Sequence, residues 1–332
     1  MRVLLGIIDI LLAAILIFVI EYPVIKAKKE VEGKILYVRD ISALPLFVAQ
    51  EEGYFDSLRV KVDMVEAGIN GDEVDKVKNG TAQAAFGTDM AMFVYKGAIK
   101  PDAFKIIYVT EASIDNPQTK LITLRTTRYR DLKSLEGKRV GYYSRTKDNR
   151  WIKYIVKNAG GDPEKVKTLP QSQAEVLSGL FAKNVDYLIA RTPEAQILAA
   201  SRKLKVVEDG LLENYVSAPF IMSVGYTSLA NMQFYPEPTK RIVKAIRKAI
   251  DFIRNNPDEA LKIANKYFEI DSTMAKVQVK PEDVKMTLPE FRKSFELDPS
   301  EIQKATDKML DAEILLKEAD FSGDLMKQQE VK

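Results

Sequence analysis

Residues 34–65, KILYVRDISALPLFVAQEEGYFDSLRVKVDMV, contain a strand, a helix and a second strand. Residues 34–38 and 60–65 are rich in aliphatic and β-branched side chains, which is typical of strands. Pro45 suits the first turn of a helix, and Gly53 stands where that helix must end. This β-α-β unit predicts an α/β fold with a mostly parallel sheet.

The same alternation continues along the chain. Further strands are predicted at residues 84–86, 105–109, 120–124, 139–143, 166–169, 185–190 and 220–224, and late helices at residues 236–255, 257–268 and 300–317. The order of helix, strand, helix and strand that ends at Asp89 recurs and ends at Pro193, so the chain builds one α/β unit twice. Two such lobes would face each other across a cleft, where α/β sheets bind ligands.

Length and composition narrow the possible functions. A chain of 332 residues with a formal charge of +3 favours two lobes, and its interleaved charges do not indicate nucleic acid as a partner. The chain has no cysteine and no histidine. Disulfides, a lipid-modified cysteine, Ser-His-Asp or Cys-His catalysis and histidine-bound metals are therefore excluded, and we expect no metal and no cofactor. Catalysis by carboxylate, lysine or tyrosine stays open.

The N-terminus predicts a membrane segment. After Arg2, residues 3–20 are apolar except for Asp9, and 18 helical residues span about 27 Å. Residues 25–27, Ile-Lys-Ala, make a poor cleavage site, which favours an uncleaved signal anchor over a cleaved signal peptide. The lysines that follow the span argue for the opposite orientation, with the body of the protein inside the cell.

Several motifs resemble those of a known family. They are LPLFVAQEEGYF at 44–55, VKV at 60–62, NG at 79–80, FGTD at 86–89, DLKSLEGKRVG at 131–141, VDY at 185–187 followed by Pro193, Lys244-Ala245, and NPDEA at 256–260. In this order, over residues 34–320, they resemble the nitrate/sulfonate/taurine and thiamine-precursor (SsuA/THI5-like) binding proteins.

That resemblance implies a fold and a domain organisation. The fold would be the type 2 periplasmic-binding-protein fold, in which two α/β lobes with a cleft are joined by two crossover segments, here expected near residues 114–124 and 224–229. Residues 1–32 would be a signal anchor or signal peptide and linker. Residues 33–118 with 227–332 would form lobe I, and residues 119–226 would form lobe II.

The resemblance also implies a function. The chain would be an extracytoplasmic receptor, monomeric and held at the outer face of the cytoplasmic membrane by its N-terminal helix or secreted. By cleft closure it would deliver a small polar molecule, anionic or heteroaromatic, to an ABC permease and its ATPase. Two alternatives are a membrane-tethered sensor and a pyrimidine-synthesis-like enzyme. The enzyme reading is weak because the enzymes similar to this family use cysteine and histidine.

The ligand-binding residues are expected where strands enter helices. The first wall would be the turn at residues 40–43 and the turn at residues 87–89, and the second wall would be residues 143–146 and 191–192. The candidates are Ser42, Ala43, Gly87, Thr88, Asp89, Tyr143, Ser144, Arg145, Thr146, Arg191 and Thr192.

Some of these candidates have two interpretations. Hydroxyls, free N–H groups and a guanidinium at a helix start attract anions, so residues 144–146 could bind an anionic ligand or could simply cap the helix. Arg191 could bind ligand or could pair with Glu194 or Asp89 as a latch across the cleft. Asp89 could bind an amine, but capping of the following helix is favoured.

Aromatic residues near the second wall could stack on a planar ligand. Tyr142 and Tyr143 alternate along a strand, so only one of them is expected to reach the cleft. Trp151 lies one turn into its helix and is expected in the core.

Overall fold

The computed structural model describes residues 29–68 and 70–331. Of the expected signal anchor or signal peptide and linker, residues 1–32, residues 1–28 lie outside this described part. Within the described residues, no helix combines the length and the apolar character needed to cross a membrane.

The strands form two sheets. In chain order they are β1 (Val31–Tyr37), β2 (Val60–Glu66), β3 (Ala84–Asp89), β4 (Phe104–Ala112), β5 (Thr119–Leu124), β6 (Arg139–Tyr143), β7 (Lys167–Gln171), β8 (Tyr187–Arg191), β9 (Leu204–Asp209), β10 (Phe220–Ser228) and β11 (Glu290–Lys293). The six-stranded sheet has the order β11-β4-β10-β3-β1-β2, and the five-stranded sheet has the order β7-β6-β8-β5-β9. We call the parts built on these sheets the first and second lobe.

Helices connect the strands and dominate the C-terminal third. They are α1 (Leu44–Glu51), α2 (Tyr54–Ser57), α3 (Asp72–Lys78), α4 (Met90–Gly97), α5 (Asp148–Asn158), α6 (Gln173–Ser178), α7 (Glu194–Ala199), α8 (Leu211–Tyr215), α9 (Leu229–Phe234), α10 (Pro236–Asn255), α11 (Pro257–Phe268), α12 (Ile270–Lys276) and α13 (Pro299–Asp311). Helices α10 and α11 match the predicted segments, whereas α13 ends six residues before its predicted end.

The repeated unit is confirmed by the order of the strands. In the first lobe β1 lies between β2 and β3 and is parallel to both, and in the second lobe β6 lies between β7 and β8 in the same way. The expectation of mostly parallel sheets is wrong. Strand β10 is antiparallel to β3 and β4, and β5 is antiparallel to β8 and β9. Each of these two strands pairs with an outer strand of its parallel unit, β3 or β8, and runs in the opposite direction.

The chain crosses between the sheets twice. It leaves the first sheet after Ala112 and enters the second at Thr119, then returns between Tyr215 and Phe220. Strand β10 begins at Phe220 and belongs entirely to the six-stranded sheet. The expected boundary at 226/227 therefore falls within this strand. The expected second crossover at residues 224–229 covers the end of the strand and the residue after it. The division into domains stays a prediction.

The first sheet is covered on both faces. Ile35 and Leu36 point to opposite sides of β1, yet both are buried. Helix α10 packs against α1, α2 and β1, so the C-terminal helices complete the first lobe. The strand ends that face the second lobe are therefore held in a rigid frame.

Candidate ligand-binding cleft

The turn after β1 is fixed by its own side chains. Asp40 accepts a hydrogen bond from the Ser42 backbone N–H at 2.8 Å. The Ser42 hydroxyl accepts one from Thr110 at 3.1 Å, and the Ser42 carbonyl accepts one from the Tyr108 hydroxyl at 2.6 Å. Ser42 and Ala43 are buried. This predicted part of the wall is therefore an ordered turn, and Ser42 already forms its hydrogen bonds within the first lobe.

The turn after β3 needs a glycine. Gly87 has a φ of +79°, and a Cβ at this position would lie 3.1 Å from the Cβ of Ala43 and 3.2 Å from the carbonyl oxygen of Val38. A larger residue would separate the two turns of this wall. The next residue, Thr88, is buried and donates its hydroxyl to Glu73 at 3.1 Å, which directs this predicted ligand contact into the first lobe.

Asp89 performs both of the structural roles that the sequence offered. One carboxylate oxygen accepts a hydrogen bond from the Met92 N–H at 2.9 Å and caps α4, and the other lies 3.0 Å from Nη1 of Arg191 in the second lobe. The structure thus shows the cap and the ion pair with Arg191, and the role of that pair as a latch stays a prediction. The pKa of Asp89 is raised from 3.8 to about 6, because the effect of burial exceeds the opposite effect of the nearby Arg191.

Arg191 is the centre of the charge network. It is 7% exposed, and its Nε lies 3.1 Å from Asp148, to which Nη2 also donates. Burial alone would lower the pKa of Arg191, but Asp148 and Asp89 raise it above its ordinary value. The guanidinium is thus shared between a carboxylate of its own lobe and one of the opposite lobe. Asp148 was not among the predicted site residues, because an acid in the first turn of a helix is expected only to complement the helix dipole.

Residues 144–146 lie before the helix rather than in its first turn. Helix α5 begins at Asp148, and the Thr146 hydroxyl donates to the Tyr143 carbonyl at 2.8 Å and accepts from the Asp148 N–H at 3.4 Å. Ser144 binds the Gln171 carbonyl through its backbone N–H. The N-cap residue of α5 is Lys147, which makes no side-chain cap hydrogen bond, so neither Ser144 nor Thr146 is the N-cap.

Arg145 reaches across the cleft. Its Nη2 lies 3.3 Å from Glu66 at the end of β2, which makes a second ion pair between the lobes. Its Nη1 is buried without a hydrogen-bond partner. Each arginine of the second wall therefore meets a carboxylate of the first lobe, although Arg145 stays partly exposed.

A small cavity remains between the walls. Its volume is about 30 Å³, and a cavity needs about 10–15 Å³ to hold one water molecule. Residues from both lobes surround it: Asp40, Ile41, Tyr143, Arg191, Thr192, Glu194 and Phe268. Burial raises the pKa of Tyr143 to about 12, so its hydroxyl stays protonated. The arrangement is a closed cleft whose polar and aromatic groups converge on a space too small for an organic ligand.

The aromatic expectations are met in part. Tyr143 lines the cavity, and its neighbour Tyr142 is not among the lining residues. Trp151 is 1% exposed and packs edge-on against Phe220 at 5.8 Å between ring centroids, so it belongs to the core as expected. Phe268 was missed, because its approach to the cavity depends on how α11 packs on α1.

Metal binding has no support in the described residues. Across residues 29–68 and 70–331, no group of three or more carboxylates is arranged to hold a metal ion. The carboxylates of the cleft bind arginines, backbone N–H groups and hydroxyls instead.

Residues 40–260 match the family model described as NMT1/THI5 like. The chain belongs to the NMT1/THI5-like family. The matched region begins at the Asp40 turn and includes both walls of the cleft. A search of curated proteins finds no match.

Solved structures share the fold of this NMT1/THI5-like chain. The alkanesulfonate-binding protein SsuA from Xanthomonas axonopodis pv. citri, bound to MOPS, has a TM-score of 0.66 at 12% identity, with 89% of this chain and 98% of that chain covered. The ligand-binding component of an ABC-type import system from Staphylococcus aureus has a TM-score of 0.67 at 13% identity, with 91% and 98% covered. The nitrate-binding protein NrtA from Synechocystis PCC 6803 has a TM-score of 0.64 at 12% identity, with 89% and 85% covered. The mixed α/β fold with two sheets is that of periplasmic binding proteins.

Proposed function

We propose that this chain is an extracytoplasmic solute-binding receptor that delivers a small polar molecule to an ABC importer and does no chemistry on it. The observation that carries the proposal is the closed cleft, in which Arg191 pairs with Asp89 and Arg145 pairs with Glu66 across the two lobes. These ion pairs join the two lobes when no ligand is bound. A ligand that contacts both lobes can replace the ion pairs. The permease then recognises the closed form of the receptor.

Membership of the family and the fold of the solved relatives support this role. These relatives are named as an alkanesulfonate-binding protein, a nitrate-binding protein and the ligand-binding component of an ABC-type import system with zinc bound. The absence of histidine and cysteine from the sequence disfavours a pyrimidine-synthesis-like enzyme. Under this proposal the partners are the permease and its ATPase, the receptor is monomeric, and the N-terminal segment holds it at the outer face of the membrane.

The ligand contacts are proposed from both walls. On the first wall they are the turn at residues 40–43 and Asp89, and on the second wall they are Tyr143, Arg145, Arg191 and Thr192. Opening the hinge must supply the space, because the closed cavity holds about 30 Å³. Binding would therefore couple to lobe movement, which is what a transport receptor requires.

A thermal-shift screen of the full chain tests the proposal. Sulfonates, nitrate, pyrimidines, amines and cofactor precursors are each added at high concentration, and a compound bound only by the folded form raises the midpoint. A ligand at 100 times its Kd stabilises by about 2.7 kcal/mol. A receptor should return its bound compound chemically unchanged, which mass spectrometry of the released ligand checks.

Two neighbouring tyrosines provide a matched pair of variants. Tyr143→Ala removes a cavity wall and should weaken binding at least ten-fold, whereas Tyr142→Ala, on the same strand but away from the cavity, should change it less than three-fold. The receptor proposal fails if no compound shifts the midpoint, or if both variants weaken binding equally.

A further inference from the structure

Carboxylates outnumber arginines where the two lobes meet. Arg191 serves both Asp89 and Asp148, and Arg145 serves Glu66. Arg39, which lines the cavity together with Arg191, pairs with Glu269 at 3.1 Å. Each guanidinium at this interface therefore already meets at least one carboxylate.

Two further carboxylates, Asp40 and Glu73, lie near these arginines. Asp40 lines the cavity and accepts a hydrogen bond from the Ser42 N–H. Glu73 is 2% exposed, with one oxygen bound by the Thr88 hydroxyl and the other buried without a partner. Among residues 29–68 and 70–331, neither Asp40 nor Glu73 forms an ion pair.

The positions of these two carboxylates are linked by one guanidinium. Burial raises the pKa of Asp40 and of Glu73. Arg191 and Arg145 both lower the pKa of Asp40, and Arg145 also lowers that of Glu73. Both carboxylates therefore lie within electrostatic reach of Arg145, which reaches into the first lobe from the opposite wall. A buried carboxylate without a counter-ion is costly, and a cation placed beside it removes that cost.

An anionic ligand would face the opposite problem. To bind Arg191 in the closed cleft it must take the place of Asp89 or Asp148, and the displaced carboxylate would then be buried without a cation. Arg145 Nη1 still lacks an acceptor, and a neutral oxygen or nitrogen of a ligand satisfies it without adding negative charge.

We propose that the ligand is an organic cation, an amine, an amidine or a protonated heteroaromatic ring, whose positive group binds the Asp40 carboxylate. This inference rests on the proposed receptor function. The walls fit such a molecule, because Ile41, Tyr143 and Phe268 give the cavity apolar and aromatic surface beside the carboxylate. Aromatic faces attract cations and also stack on planar rings.

The test uses ligands of one shape and three charges. Benzamidine, benzamide and benzoate form one set, and butylamine, butanol and butanesulfonate form a second set. Each is titrated into the full chain at pH 7.5 by calorimetry. We expect the cation of at least one set to bind ten-fold or more tightly than its neutral and anionic counterparts.

Asp40→Asn separates charge from shape. Asparagine keeps an oxygen for the Ser42 N–H, so the turn should persist and the melting midpoint of the unliganded protein should not fall. We expect cation affinity to fall ten-fold or more and affinity for the neutral analogue to change less than two-fold. Asp63→Asn, an exposed carboxylate on β2, is the matched control and should change neither.

The outcomes distinguish this inference from the receptor function. Tighter binding of the anions, or cation binding that Asp40→Asn leaves unchanged, overturns the cationic ligand while the receptor function stands. If no member of either set binds, and the broad screen described above is also silent, the receptor function fails and the inference fails with it.

Discussion

Asp89 shows how one side chain can take two roles that the sequence presents as alternatives. A carboxylate has two oxygens, and here one caps α4 through the Met92 N–H while the other meets Arg191. The first role is local and can be predicted from an acid before a helix. The second depends on a residue of the opposite lobe, a hundred positions along the chain.

The titration of Asp89 gives a prediction at the residue scale. Its pKa is about 6 in the folded protein, against an ordinary value of 3.8. The folded state therefore holds the proton more tightly, and the contribution of Asp89 to the free energy of unfolding falls as the pH rises from about 4 to about 6. A shift of two pKa units corresponds to about 3 kcal/mol.

Asp89→Asn removes this titration and keeps an oxygen for the helix cap. The free energy of unfolding of the wild type, minus that of the variant, should fall by up to about 3 kcal/mol between pH 4 and pH 7. Urea unfolding at a series of pH values measures it. Asp56→Asn, an exposed position on α2, should give no fall of this size, and a flat difference for Asp89→Asn would contradict the raised pKa.

At the scale of elements, helix α8 ties the two crossings between the lobes together. Glu213 accepts hydrogen bonds from the backbone N–H groups of Gln118 at 2.8 Å and Thr119 at 3.1 Å, and from the Thr119 hydroxyl. That hydroxyl accepts in turn from the Leu212 N–H at 2.9 Å. Residues 118–119 end the first crossing and α8 precedes the second, so one buried carboxylate fixes both.

Glu213→Ala should destabilise the protein by about 2–4 kcal/mol, because two backbone N–H groups lose their buried acceptor. Glu213→Gln keeps one acceptor oxygen and should cost less than half as much. Asn214→Ala, the next residue of α8, loses a single exposed bond to Asp209 and should cost less than about 1 kcal/mol. Denaturant midpoints measure all three. Equal costs for alanine and glutamine at position 213 would show that the carboxylate does not anchor the crossing.

The elements also show what the sequence could and could not predict. Strands β1, β3, β6 and β8 end within three residues of their predicted ends, so these junctions could be placed from local signals such as Asp89 before α4. Strand β9 (LKVVED) and strand β11 (EFRK) were missed, because both are edge strands of mixed polarity. The direction of β5 and β10 was also missed, since a strand carries no local mark of which neighbour it will join.

The same distinction holds for the cleft. Thr88 and Ser42 stand at the predicted strand ends, but their hydroxyls bind Glu73 and Thr110 of their own lobe. Which way a side chain turns at a strand end is decided by the partner that tertiary structure supplies. The pairing of Arg191 with Asp148 and the approach of Phe268 are likewise long-range, and no spacing in the sequence indicates them.

At the scale of the whole molecule, the two lobes are joined by links of unequal strength. Arg145 and Glu66 are partly exposed, and such pairs contribute about 0–1 kcal/mol. Gln196 of α7 and Thr287 of the first lobe exchange two hydrogen bonds, at 2.6 Å and 3.1 Å, beside the crossings. Arg191 is buried between two carboxylates, so its removal should matter most.

Arg191→Gln should therefore open the molecule. It leaves Asp89 and Asp148 buried without a cation, and breaking a buried ion pair in this way costs about 3–5 kcal/mol. A two-lobed protein can relieve that cost by separating the walls and hydrating both carboxylates, since the hinge at the crossings permits it. We expect the radius of gyration in small-angle X-ray scattering to exceed that of the wild type, with little loss of helical circular dichroism. Arg139→Gln removes a guanidinium that pairs with Asp186 inside the second lobe at 2.9 Å, and it should leave the scattering unchanged. If Arg191→Gln scatters like the wild type, the latch does not hold the lobes, and closure must depend on apolar contacts instead.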